Sequence, residues 1–286
     1  MLKLALGTAQ FGLDYGINNL RGKIPPEEAF RILDAAHAGG IDTLDTALVY
    51  GDSEKVLGEY LRKHDKKFRV VSKTKGVSKE QILASLNSSL EILGVERLDA
   101  YLFHDFDAFA KNPSIWEAME SLKKSGSIGK AGFSLYRPSE LGWILDHRIP
   151  VNIIQIPFSV LDQRFLPMLQ RAKDCGIEIH ARSVFLQGLV FKDSESLDRR
   201  FSSIGGQLKE LRSLSARTGL SLSHLCLGFA SGNPIIDRVV IGVDGLAQLE
   251  ELMSFDDLPN EASAQLSRFQ IDDERILLPF LWGEKK

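Results

Sequence analysis

Short apolar runs alternate with longer amphipathic stretches along almost the whole chain. The apolar runs are Leu2–Leu6, Ile41–Asp45, Phe68–Lys73, Leu98–His104, Ile128–Ser134, Val151–Gln155, Ile177–Ala181 and Asp237–Ile241. Brief runs of this kind suit strands buried on both faces. Helices are predicted between them, beginning near Pro25, Ser53, Ser78, Ser114, Pro138, Asp162, Gly205 and Gly245. Pro25 and Pro26 suit a first helical turn, and Ser78 stands three residues before Gln81 as a capping box. Gly39-Gly40, Gly94, Gly126, Gly176 and Gly219 supply stop signals. Strands separated by single helices imply parallel βαβ units, and eight of them is the number that closes a barrel. The expectation is an α/β fold, a (β/α)8 TIM barrel formed as a single domain over residues 1–286, with an open doubly wound sheet as the alternative. Two features stand outside the repeat. Val184–Gly206 is long enough for a binding loop, and Ser221–Ala230 reads as an extra helix before the last strand. The tail beyond Pro259 ends in Pro279-Phe280-Leu281-Trp282, expected to pack on the barrel or its mouth.

Composition narrows the class without choosing a function. The 286 residues are 44% hydrophobic and 26% charged, as in soluble globular proteins. A net charge of −3 argues against nucleic acid or an anionic membrane as partner. The two cysteines, Cys175 and Cys226, make neither a metal-ligand spacing nor a disulfide framework, which suits a reducing cytoplasm. The apolar run at the N-terminus is too short for a secretory signal, and no stretch approaches the length of a membrane span. The six histidines show neither H-x-x-x-H nor H-x-H spacing, so no metal site is expected. His37 and His147 read as surface histidines, and His180 is open between mouth and core.

Barrel enzymes carry their chemistry at the C-terminal ends of the strands. The second run ends at Asp45 with Tyr50 in the loop beyond, the third at Lys73, the fourth at His104, the fifth at Ser134 and the sixth at Gln155. Taken singly, each has an ordinary use as a loop cap, a packed aromatic, a solvated charge or a core-edge polar group. Together they place acid, phenol, amine and imidazole on successive strand ends. An ammonium near a phenol favours phenolate and lowers its pKa, a carboxylate holds the ammonium, and an imidazole orients a carbonyl oxygen. That set suits carbonyl reduction, where oxygen gains negative charge as hydride reaches carbon. The hydride must come from a cofactor.

At these residues the chain resembles the aldo/keto reductase family. The matching segments are LGTAQFG from Leu6, GIDTLDTALVYG from Gly40, VVSKTK from Val70, LDAYLFHD from Leu98, GKAGFS from Gly129 and VNIIQIP from Val151. The resemblance implies a (β/α)8 barrel that binds NADP(H), with NAD(H) as second choice, and reduces an aldehyde, ketone or sugar carbonyl. It puts Asp45, Tyr50, Lys73 and His104 on the catalytic tetrad, with Tyr50 as general acid. It assigns Gly7, Thr8, Asp45, Ser134, Gln155, Arg182, Ser183, Gly242, Gln248 and Glu251 to the cofactor. The chain departs from the family pattern in several places. Leu135 follows Ser134 where many relatives have Asn. Arg182 stands near the place of an aromatic that stacks on nicotinamide. Gly242, Asp244 and Gln248 bring no positive charge for a 2′-phosphate, and Leu252 replaces a common Asn.

Two other classes compete. A lyase or aldolase would use Lys73 as a Schiff-base amine, which a neighbouring Asp disfavours. An accessory or regulatory protein of the same fold would bind nicotinamide and turn over little. Candidate pocket walls are Phe11, Tyr15, Phe106, Phe158, Phe185 and Trp282, and aromatic walls suit an aldehyde, a ketone or a sugar ring.

Overall fold

The eight apolar runs pair in chain order, each parallel to the next, and the eighth returns to the first to close a barrel. These are the strands of the computed structural model, which describes residues 3–283. They are β1 (Leu4–Gly7), β2 (Thr43–Asp45), β3 (Arg69–Thr74), β4 (Leu98–Phe103), β5 (Ile128–Ser134), β6 (Ile153–Pro157), β7 (Glu178–Arg182) and β8 (Arg238–Gly242). The single-domain (β/α)8 expectation is met. Helices follow at Pro26–Ala38, Ser53–Lys63, Lys79–Leu93, Trp116–Lys124, Pro138–Asp146, Leu166–Asp174, Gly205–Thr218 and Leu246–Met253. The extra helix before β8 is Leu222–Ser231.

Local chemistry explains most of the boundaries. Ser78 accepts a hydrogen bond from the Gln81 amide and caps its helix, which ends at Gly94 in the left-handed conformation. The helix expected near Asp162 begins four residues later, at Leu166. Asp162 is spent in a turn instead: its amide donates to the Ser159 hydroxyl oxygen, and its buried carboxylate binds Arg164 at 2.8 Å. Gln155 lies in the middle of β6, not at its end. The long segment from Val184 is not structureless, since it forms 3-10 turns at Leu186–Phe191 and Arg199–Ile204.

Strand alternation splits the core into two compartments. Val71, Ala100, Leu102 and Ile153 form a small apolar cluster inside the barrel. The larger cluster lies between strands and helices. Its densest part is aromatic. Phe133, fully buried on the outer face of β5, stacks on Phe103 and Trp116 and meets Phe106 and Phe109 at steeper angles. Low in the barrel Lys130 binds Glu178 at 2.7 Å and Asp99 at 3.3 Å, and His180 bonds Glu178. His180 therefore belongs to the core and not to the mouth. His37 and His147 are exposed.

The tail crosses the C-terminal side of the barrel. The Ile271 amide bonds the Leu161 carbonyl, and Glu274 receives both Arg137 and Arg164. Trp282 packs on Phe201 and donates its indole N–H to Ile276. Phe133→Ala removes the centre of the aromatic cluster and should cost about 3–5 kcal/mol. Urea denaturation checks this, and a loss within about 0.5 kcal/mol would mean that the cluster does not couple β5 to its helices.

Candidate active site

Inward-pointing residues of β2, β3 and β6 meet at one carboxylate. Lys73 Nζ donates to Asp45 Oδ1 at 2.7 Å and to the Thr46 carbonyl at 2.9 Å. Gln155, from the far side of the barrel, donates through Nε2 to Asp45 Oδ2. The Lys73 and Asp45 side chains are only 1% and 7% exposed. The ammonium lies 5.1 Å from the centroid of the Tyr50 ring, within cation–π range. His104, one residue beyond β4, meets the same ring edge-on at 5.6 Å. The four residues expected to act together are thus brought together.

The loop carrying Tyr50 is held by contacts among small residues that no local pattern discloses. Ser53 Oγ donates to the Thr8 carbonyl at 2.9 Å and lies 2.7 Å from Thr8 Oγ1. Gly12 packs flat against this loop, and a Cβ there would collide with the Tyr50 carbonyl oxygen. The glycine in LGTAQFG is therefore a spacing requirement, which the motif alone does not disclose.

Electrostatics set the proton inventory. Burial, then the negative charge of Asp45, push the Tyr50 phenol above its ordinary value, while Arg182 pulls the other way. The lowering expected from the Lys73 ammonium does not prevail. In the structure Asp45 matches that ammonium at 2.7 Å, so the phenol keeps its proton at neutral pH. Burial, with Lys73, Lys75 and Arg182 adding to it, drives His104 down to about 2, so its imidazole is neutral. Its Nδ1 has no hydrogen-bond partner.

Above these residues opens a cavity of about 370 Å³. It runs from Tyr50, His104 and Tyr136 to Gly242, Asp244 and Gln248. Of the residues expected at a cofactor, Gly7, Thr8, Asp45, Ser134, Arg182, Ser183, Gly242 and Gln248 line it. Gln155 is fully buried and is not part of the lining. Glu251 is exposed and lies outside the cavity. Of the aromatic wall candidates, Tyr15 and Phe185 line the cavity. Phe11, Phe106, Phe158 and Trp282 are buried packing residues instead. Tyr136, Phe191 and Phe280 complete the aromatic wall. Leu135, where an Asn was expected, is fully buried, and its carbonyl takes Arg182 Nη2.

The residues fit a nicotinamide. Gln155 Oε1 is a buried acceptor with no partner, and Ser134 Oγ accepts from Arg182 but keeps its own proton to donate. The Ser134 hydroxyl, which lines the cavity, can donate to a carboxamide oxygen, while Gln155 lies beneath the lining and steadies Asp45. After β7, Ser183, Leu186 and Gln187 all adopt positive φ, at 60°, 46° and 53°. Three strained non-glycine residues so close together are characteristic of a functional loop. That loop meets the one after β1, where the Ile17 amide bonds the Gln187 carbonyl at 3.0 Å. Arg21, also from the β1 loop, donates to the Asp244 carbonyl and pairs with Glu28. No spacing in the sequence joins Arg21 to the end of β8. Among the described residues no group of three or more His, Cys, Asp or Glu could hold a metal ion. No described helix is long and apolar enough to cross a membrane.

Comparison with known proteins places this geometry. The profile of the aldo/keto reductase family matches residues 3–268. The chain is 31% identical over 185 residues to an aldo-keto reductase of Strobilurus tenacellus, covering 60% of this chain and 54% of that protein. It is 27% identical over 211 residues to an oxidoreductase of Leptosphaeria maculans, covering 68% and 63%. The chain thus spans less than two thirds of these relatives' own length. Its fold matches the holo form of an aldo-keto reductase from Bacillus halodurans with a TM-score of 0.77 at 22% identity, covering 93% of this chain and 91% of that one.

Lys73→Met would leave the buried Asp45 carboxylate without its cation, and stability should fall by about 3–5 kcal/mol. Replacing both residues with apolar ones should restore part of that loss. A single variant as stable as the native protein in urea would contradict this account of the pair.

Proposed function

The chain belongs to the aldo/keto reductase family, and on that premise we propose that it reduces a small-molecule aldehyde, ketone or sugar carbonyl to an alcohol, with Tyr50 as proton donor. The observation that carries this reading is the half-buried phenol on the cavity floor, kept protonated above a neutralised Lys73–Asp45 pair. A bound reduced nicotinamide supplies the hydride. The substrate oxygen approaches the Tyr50 hydroxyl and the neutral His104 imidazole, which has an N–H to donate. As negative charge develops on that oxygen, the phenol proton moves to it. The phenolate left behind faces the Lys73 ammonium, and solvent reprotonates it. Asp45 keeps Lys73 in position, and Gln155 keeps Asp45.

NADP(H) is the first choice of cofactor and NAD(H) the second. The order rests on the family resemblance, since Arg21 at the Asp244 carbonyl is already paired with Glu28 and does not line the cavity. Ser134 is assigned to the carboxamide, and Gly242 and Gln248, which line the cavity, to the adenosine end.

Tyr50→Phe should lower carbonyl reduction by about 10²–10⁴-fold, the usual weight of a general acid. Fluorescence titration should show its affinity for NADPH nearly unchanged and tighter than for NADH. Reduction at the native rate would remove Tyr50 from the chemistry. The pH profile of kcat/KM is a second test. His104 titrates near 2, far below its ordinary value, so its neutral form persists throughout the range from pH 5 to 8. No histidine break should appear there. A break near 6.5 that His104→Gln abolishes would show a charged imidazole at work.

A further inference from the structure

Arg182 is the one Lys or Arg among the described residues that line the cavity. No described carboxylate stands within ion-pair distance of it, whereas fifteen Lys or Arg ion pairs occur among the other described residues. Its partners are neutral: Nε donates to Ser134 Oγ at 3.2 Å, Nη1 to Ser183 Oγ at 3.3 Å and Nη2 to the Leu135 carbonyl at 2.7 Å. A guanidinium has five N–H groups, so two remain. The plane is fixed from one side by Tyr136, with the guanidinium carbon 4.4 Å from the ring centroid. It is therefore a pre-oriented fork with donors to spare.

The other charges of the chamber do not answer it. Asp45 is matched by Lys73, and His104 is neutral. Asp244 lies toward Gln10 and Arg21. Burial has the largest influence on Tyr15, Tyr50 and His104, but the Arg182 charge acts on all three, so it faces the place where they converge. A partly desolvated cation with spare donors is a site for an anion, and arginine's fork matches carboxylate and phosphate geometry.

Building on the proposed reductase reading, we infer that the substrate carries an anionic group, carboxylate or phosphate, near the carbonyl being reduced, and that Arg182 receives it. Arg182 then acts as a specificity residue. It orients the substrate from the side of β5 and β7, while Tyr50 and His104 address the carbonyl from the side of β2 and β4.

The test compares matched pairs on the full-length protein: 3-carboxybenzaldehyde with its methyl ester, and glyceraldehyde 3-phosphate with glyceraldehyde. The charged member of at least one pair should have the higher kcat/KM by about 10- to 100-fold, the range of one charge-assisted hydrogen bond. The pair that responds identifies carboxylate or phosphate. In Arg182→Gln that ratio should fall toward one, and Arg182→Lys should keep part of it. A native ratio near one, with the neutral aldehydes reduced, overturns the inference and leaves the reductase reading intact. A variant that keeps the ratio but loses NADPH affinity also overturns it and returns Arg182 to the cofactor. Binding of 3-(hydroxymethyl)benzoate, the alcohol product, is measured separately by calorimetry with NADP+ present. If no aldehyde is reduced but that carboxylate binds and Arg182→Gln abolishes its binding, the anion site stands and the reductase reading fails.

Discussion

Lys73 and Asp45 face each other at 2.7 Å inside the barrel, in the same interior as a small cluster of Val71, Ala100, Leu102 and Ile153. Either charge alone at that depth would cost several kcal/mol. The pair is tolerable only because its hydrogen bonds are nearly complete: Thr46 shares the ammonium, and Gln155 takes the second carboxylate oxygen. This requirement ties together β2, β3 and β6, which are not all neighbours in the sheet. It also fixes the registers, because a slip by one residue would turn Asp45 or Lys73 out toward the helices. The rest of the site is built on that foundation.

Neutralising the pair has a chemical consequence. A bare ammonium below Tyr50 would favour phenolate, but the matched pair leaves burial to dominate, and burial favours the phenol. The same low-polarity surroundings keep His104 neutral. The cavity floor is thus loaded with a proton and carries little net charge, apart from Arg182. This is a setting in which charge developing on a substrate oxygen is strongly felt.

The two ends of the barrel divide the work. At the N-terminal end, short connections and the Lys130–Glu178–Asp99 cluster close the interior and bury His180. At the C-terminal end the β1 and β7 loops touch through Ile17 and Gln187, and the tail lays Pro279 and Phe280 along the cavity. The strained backbone after β7 belongs to this end as well. Strain and exposed polar groups collect where the strands open, and packing collects where they do not.

Much of this was legible in the order of residues. Eight apolar runs, spaced by helices with recognisable caps, determine a parallel barrel because buried strands and amphipathic helices have few other ways to pack. The strand ends Asp45, Lys73, His104 and Ser134 could be placed on one mouth for the same reason. Other features depended on distant segments meeting, which no local pattern encodes. Gln155 looked like a strand end but serves from beneath the floor, because β6 runs on to Pro157. Phe11, Phe106 and Phe158 looked like walls but are buried packing residues, and Trp282 packs on Phe201 and bonds the tail's own Ile276. Arg21 reaches the end of β8 from a loop more than two hundred residues away in sequence. Whether Arg182 had an acid partner was likewise decided by the closed barrel, since only there does each charge acquire its neighbours.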